Sequence, residues 1–233
     1  MARVKICGNT DVGQVRMASE AGADCAGFVV EYPVDVPWNL SRDDARGLLA
    51  AVPPFMTAAV VTGGSAEHVL AVARALRPGI VQLHTDNPPD ETAQIADCLA
   101  GDGMRLIRAL RIDAATGLAS GDLPDPVGAA LVLQECGIAA LLLDARTGSL
   151  PAGTGLALSR EMARAVRDAL RIPLILAGGL GPANVAAAVE AVRPFAVDVI
   201  SGVESSRRVK DASLVSAFVR AAKGLPGPGQ APA

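Results

Sequence analysis

Several residues in this chain combine a reactive type with a position that could use it. Cys7 closes the apolar run Val4–Cys7 and stands just before a helix start marked by Asn9-Thr10-Asp11. A helix N-terminus can lower a thiol's pKa from its free value near ~8.5. Asp144 follows Ala140-Leu141-Leu142-Leu143, and a carboxylate that closes a buried strand needs a partner or a task. Bland roles stay open to both, packing for Cys7 and a loop cap or an Arg146 partner for Asp144. Two glycine turns, Ala177-Gly178-Gly179-Leu180-Gly181-Pro182 and Ile200-Ser201-Gly202-Val203-Glu204, offer backbone N–H groups that an anion can approach closely. A third turn, Gly153-Thr154-Gly155, could add donors, and His84 follows Val81-Gln82-Leu83. Proton transfer on a phosphorylated small molecule would use all of these.

Composition removes most other chemistry. The four cysteines lie far apart with no CxxC pair, and there are only two histidines, so no metal site is expected. Cys25, Cys98 and Cys136 sit among Ala, Gly and Leu and read as small core residues. A net charge of −3 and an aromatic content of 3% argue against nucleic acid, which needs cations and stacking faces. The chain is 51% hydrophobic but has no run approaching the ~20 apolar residues of a membrane span. Its opening residues carry no signal-peptide pattern, so the expectation is a cytoplasmic protein that uses no cofactor and meets neither nucleic acid nor membrane.

The elements that must position these residues follow a regular rhythm. Apolar runs at Val4–Cys7, Cys25–Val30, Met56–Val61, Ile80–Leu83, Arg105–Leu110, Ala139–Leu143, Leu174–Ala177 and Ala196–Ile200 read as strands. Several are continuous, as in strands of a parallel sheet buried on both faces. Helical spacing fills Asp11–Ala21, Ser41–Ala51, Ser65–Leu76, Asp90–Leu99, Val127–Cys136, Ser159–Leu170, Pro182–Val192 and Asp211–Ala222. Ser41 with Asp44, and Gly181-Pro182, mark helix starts. Eight strand–helix units predict a single (β/α)8 TIM barrel over residues 1–223, with a disordered Gly/Pro-rich tail over 224–233. A doubly wound sheet would carry a GxGxxG turn where this chain has Cys7-Gly8-Asn9-Thr10. In a barrel the chemistry gathers beyond the strands' C-terminal ends, at Cys7, Glu31-Tyr32, Thr62-Gly63-Gly64, His84, Arg111, Asp144, Gly178-Gly179 and Ser201-Gly202.

Together these strings resemble the phosphoribosylanthranilate isomerase family. Lys5-Ile-Cys-Gly-Asn-Thr, Val81-Gln-Leu-His, Leu142-Leu-Asp, Gly153-Thr-Gly, Leu176-Ala-Gly-Gly-Leu-Gly-Pro-Ala-Asn-Val and Asp198-Val-Ile-Ser-Gly-Val-Glu occur in family order. With Val209-Lys-Asp they span residues 5–211. The resemblance implies a cofactor-free Amadori rearrangement of an N-phosphoribosylated arylamine. It assigns the general base to Cys7 and the general acid to Asp144. Gly178, Gly179, Ser201 and Gly202 would hold the substrate phosphate, while Gln82, His84 and Asp198 would contribute to the pocket or its support.

The departures cluster on the aryl side. The family's Ser-Pro-Arg string, whose arginine meets the anthranilate carboxylate, is Val36-Pro37-Trp38 here. Replacing guanidinium by indole removes a charged hydrogen bond worth about 1.5–3 kcal/mol. Thr85 stands for the glycine after Gln-Leu-His, and Ala157-Leu158-Ser159 for a Phe-Asp-Trp motif. Either Arg111 or Arg146 meets the carboxylate, which keeps the family's activity and is the first reading, or the aglycone is not anthranilate. A non-catalytic phosphosugar-binding barrel is the reading from another class. The retained Cys7 and Asp144 argue against it, since phosphate binding needs neither. The expected partner is a small phosphosugar, and the expected assembly a monomer or homodimer.

Overall fold

Strand parity explains how this chain folds. In β1 (Arg3–Ile6) Val4 and Ile6 face outward into the main apolar layer, so Lys5 and Cys7 face inward. In chain order there follow α1 (Val12–Glu20), β2 (Cys25–Val30), a two-residue β3 (Asn39–Leu40), α2 (Arg42–Ala50), β4 (Thr57–Thr62), α3 (Ala66–Leu76), β5 (Ile80–Leu83) and α4 (Pro89–Gly101). The second half holds β6 (Arg105–Asp113), α5 (Pro126–Gln134), β7 (Ala140–Arg146), α6 (Arg160–Ala169), β8 (Leu174–Leu176), α7 (Val185–Val192) and β9 (Ala196–Val199). A 3₁₀ turn at Ser201–Val203, the hairpin strands β10 (Glu204–Ser206) and β11 (Val209–Lys210), and α8 (Ala212–Lys223) complete it. The computed structural model describes residues 1–146 and 158–225, apart from the Arg146 side chain.

All barrel strands are parallel, in the order β1-β2-β4-β5-β6-β7-β8-β9 and back to β1. This closed eight-stranded barrel with eight helices among the described residues is the fold the sequence predicts. Closure removes the barrel's own edges, which leaves the short β3 and the separate β10–β11 hairpin as edge strands among the described residues. Ile107, Ala109, Ala140, Leu142, Ile175, Ala177 and Ala196 fill the barrel's interior, and the alternate residues Leu106, Leu110, Leu141 and Leu143 meet the helices. The same alternation turns Gln82, His84, Arg111, Asp144 and Asp198 inward. No helix among the described residues is long and apolar enough to cross a membrane.

Most helix starts follow the sequence. Asp11, Ser41, Ser65, Asp125, Ser159 and Asp211 each accept a backbone N–H from the first turn. The start expected at Gly181-Pro182 is corrected, since α7 begins at Val185. Asn184 accepts the Gly181 N–H at 2.8 Å and donates to the Gly179 carbonyl at 2.9 Å, so residues 181–184 form a turn that closes the glycine loop. Gly224 and Leu225, assigned from sequence to the tail, instead close α8. Gly224 adopts φ +64°, and the Leu225 N–H reaches the Arg220 carbonyl. Residues 226–233, Gly153-Thr154-Gly155 and Ala157 lie outside the described residues.

Candidate active site

The end of β1 is built around Cys7. Gly8 adopts φ +70°, and a Cβ there would sit 3.0 Å from Trp38 Cδ1 and from Ile200 Cγ2. Only glycine lets the turn pass so close to the indole. Buried Asn9 donates its side-chain amide to the Ile6 and Gly27 carbonyls, locking the chain just after the thiol. Across from it, a Cβ at Gly27 would meet Cys7 Sγ at 2.6 Å and Lys5 Cε at 2.9 Å. A glycine inside an apolar strand often marks such close approach, and that signal in Cys25–Val30 was available in the sequence.

Beneath the thiol lies an ion pair. Lys5 and Asp198 are register partners on β1 and β9, with Nζ 2.8 Å from Oδ2 and both side chains nearly fully buried. Burial alone would lower the Lys5 pKa, but Asp198 together with the Cys7 and Cys25 thiols outweighs it and the ammonium is raised overall. Burial pushes the Cys7 thiol up, with Lys5 opposing. The lowering expected from the helix start is therefore not the net effect, because a thiol that is 1% exposed loses more hydration than the helix end returns. Burial pushes Cys25 up to about 12 as well, with Lys5 again opposing.

Three strands round the barrel, β7 presents Asp144, almost buried, at the mouth. His84 Nε2 lies 3.4 Å from Asp144 Oδ2, too poorly aligned to count as a hydrogen bond. Gln82 Nε2 donates to His84 Nδ1 at 3.2 Å, which assigns the ring proton to Nε2, on the side of Asp144. The Tyr32 hydroxyl donates to the His84 carbonyl at 3.0 Å and the rings meet edge to face. Tyr32, present in the strand-end series, thus supports His84 from behind.

One pocket collects these groups. Its lining includes Cys7, Trp38, Gln82, His84, Asp144, Gly178, Gly179, Asp198, Ser201 and Gly202, with Val29, Val36 and Val61 on the apolar side. Among the described residues, the Gly178 and Gly179 N–H groups donate to no protein acceptor, which leaves them for a ligand. Gly178 adopts φ +82° and a Cβ there would press on Ala145, while a Cβ at Gly202 would overlap the Leu180 carbonyl oxygen. Both glycines are required by the protein's own packing, before any anion is considered.

Arg111 stands apart from this lining. Its strand position is inward, opposite Asp144 in register, but its guanidinium is held by Asp86, which also accepts from Ser120 Oγ at 2.8 Å. Trp38 does enter the pocket. Its indole donates to Glu204 Oε1 at 2.7 Å, and Lys210 Nζ reaches the same oxygen at 2.9 Å. This buried Trp38–Glu204–Lys210 set was not found from sequence. The only trace of it was a Lys and a Glu flanking the exposed β10–β11 hairpin. The Arg146 side chain lies outside the description.

Comparison with known proteins shows the family. The family model described as N-(5'phosphoribosyl)anthranilate (PRA) isomerase matches residues 4–221. The N-(5'-phosphoribosyl)anthranilate isomerase of Haloferax volcanii is 40% identical over 224 residues, covering 96% of this chain and 94% of that one. The crystal structure of phosphoribosyl anthranilate isomerase from Thermotoga maritima is similar at a TM-score of 0.80 and 33% identity, covering 97% of this chain and all (100%) of that one. Another phosphoribosyl anthranilate isomerase structure, in complex with reduced 1-(o-carboxyphenylamino)-1-deoxyribulose 5-phosphate, matches at 0.77 and 33%, with the same coverage, 97% and 100%. With the family model matched almost end to end and relatives of this identity covering the whole barrel, the chain belongs to the N-(5'-phosphoribosyl)anthranilate isomerase family and is an isomerase.

Proposed function

We propose that this enzyme converts N-(5'-phosphoribosyl)anthranilate to its 1-deoxyribulose 5-phosphate isomer, a step of tryptophan biosynthesis, with Cys7 as general base and Asp144 as general acid. The observation that carries the assignment is that one pocket holds both groups, on strands three apart, beside a glycine cradle with free N–H donors. Gly178, Gly179, Ser201 and Gly202 take the phosphate, which fixes the ribose between the two walls. Asp144 gives a proton to the ring oxygen as the C1–O bond breaks, and the arylamine nitrogen lone pair forms the imine. The Cys7 thiolate then removes the C2 proton, giving an enolamine that tautomerises to the ketose. The rearrangement is internal, so no external oxidant or reductant is consumed.

The surroundings suit these roles. Lys5 favours the thiolate form of Cys7. His84, oriented by Gln82, faces the Asp144 carboxyl with its Nε2–H and can donate a hydrogen bond to the carboxylate left after the proton transfer. Asp198 Oδ1 lacks a partner while the residue lines the pocket, so it can accept from a ribose hydroxyl. The enzyme acts as a monomer or homodimer in the cytoplasm on this reading.

Trp38 favours a second reading of the aglycone. Its indole fills the position from which a cation would meet a carboxylate, and Glu204 behind it is already paired with Lys210, so the set offers no free cation there. An uncharged arylamine would suit that wall better. Mixing the protein with N-(5'-phosphoribosyl)anthranilate and following loss of substrate fluorescence separates the cases. Rapid turnover supports the first reading. Turnover only of an analogue without the carboxylate supports the second, and turnover of neither overturns both.

A further inference from the structure

Outside the mouth, the outer face of β6 carries a cation that is ion-paired with no carboxylate among the described residues. Arg108 lies between Ile107 and Ala109, which face the barrel interior, so its side chain points outward toward α4 and α5. It is 4% exposed. Nη1 donates to the Ala109 carbonyl and Nη2 to the Asn87 carbonyl at 3.1 Å, while Nε has no partner. Carbonyl dipoles satisfy hydrogen bonds but do not neutralise a buried charge, and an isolated ion in such a place is costly. Burial outweighs the nearby Asp86 carboxylate and pushes Arg108 down to about 10, so it stays cationic at neutral pH.

Arg108 also lines a cavity of about 440 Å³, against about 70 Å³ for the mouth. The apolar wall is Leu110, Leu123, Val132 and Leu133, and Leu123 and Val132 are partly exposed at its opening. Two carboxylates touch it. Asp86 is already held by Arg111 and Ser120, and Asp122 lies exposed at the rim. The interior therefore keeps one uncompensated positive charge beside an apolar surface.

We propose that this cavity binds a small organic monoanion, a single carboxylate on an apolar body, with the acid group on Arg108 and the body against Leu110, Val132 and Leu133. A dianion such as a phosphate monoester suits it less, because only one cation is unpaired and two carboxylates stand nearby. The site is separate from the mouth, since no residue lines both.

Benzoate is the probe, titrated into the full chain by calorimetry and by thermal unfolding, with benzamide as the uncharged control of the same shape. The expected result is saturable one-to-one benzoate binding with a raised Tm, and no comparable effect of benzamide. Val132→Trp, which fills the cavity from the half-exposed face of α5 and leaves Arg108 untouched, should weaken benzoate at least about tenfold, as should Arg108→Met. If Arg108→Met fails to fold, Val132→Trp alone decides. Absence of saturation at tens of millimolar, equal binding to Val132→Trp, or equal binding of benzamide overturns the proposal.

Discussion

On the β1/β9 wall of the mouth the buried charges are paired, Lys5 with Asp198 and, just behind, Lys210 with Glu204. On the β5/β7 wall His84 and Asp144 face each other at 3.4 Å without a hydrogen bond, and Gln82 Oε1 and His84 Nε2 have no partner. Among the described residues, one wall has its charges in ion pairs, although Asp198 Oδ1 still lacks a hydrogen bond, and the other leaves its two facing groups unbonded. Such a wall of ion pairs can bury a thiol completely while Lys5 offsets part of the burial that keeps it neutral. The unbonded wall keeps unsatisfied polar atoms that a ligand would satisfy, a cost tolerated where function requires it. The difference suits a base that must be shielded and an acid that must exchange its proton.

The sharpest way to break this contrast is to remove the reacting group from each wall in turn. Cys7→Ala and Asp144→Asn should each cut turnover by roughly 10²–10⁴-fold. Thermal unfolding should show little change, since neither side chain belongs to the main apolar layer. A Cys7→Ala enzyme with full turnover would remove the β1 wall from the chemistry.

Breaking the paired wall is the next largest effect. Lys5→Met leaves Asp198 buried without its cation and should cost about 3–5 kcal/mol of stability, whereas Lys5→Met combined with Asp198→Leu should recover most of it. Denaturant unfolding of the single and double variants checks this. Equal stability of Lys5→Met and wild type would mean that the pair contributes nothing.

The pH profile probes the same wall more gently. The Cys7 pKa is raised, chiefly by burial, so below it the thiolate is the minor form and grows about tenfold per pH unit. In Asp144→Asn, whose side-chain amide does not titrate, the logarithm of the residual kcat/KM should therefore climb with a slope near +1 through the neutral range. A flat profile there would exclude a titrating thiol as the base.

Smallest is the change on the aryl side. Trp38→Arg should raise kcat/KM for N-(5'-phosphoribosyl)anthranilate, by up to about tenfold rather than the full value of a charged hydrogen bond. Glu204, now the indole's acceptor, would compete with the substrate carboxylate for the new guanidinium. A loss of activity instead would show that the aryl ring uses the indole face.

How much of this was legible depended on the range of the interaction. Strand and helix order, the strand-end position of Cys7 and Asp144, and both glycine turns follow from local apolar runs, caps and turn residues, because neighbours in sequence set them. Even the inward parity of Gln82, His84 and Asp198 could be read by counting alternate residues along each strand. The partners could not. That Lys5 meets Asp198 depends on how β1 and β9 register when the barrel closes, across nearly the whole chain. That Arg111 turns to Asp86, Trp38 to Glu204, and Arg108 to an unshared cavity depends on which side chains the packing of separate loops brings within a few ångströms. The net direction of the Cys7 pKa was decided there too. The sequence by itself determined which strand residues face the barrel interior, because backbone geometry repeats every second residue. Only the tertiary structure decided which of them are paired, buried or left open, because Coulomb energy and desolvation act through space and not along the chain.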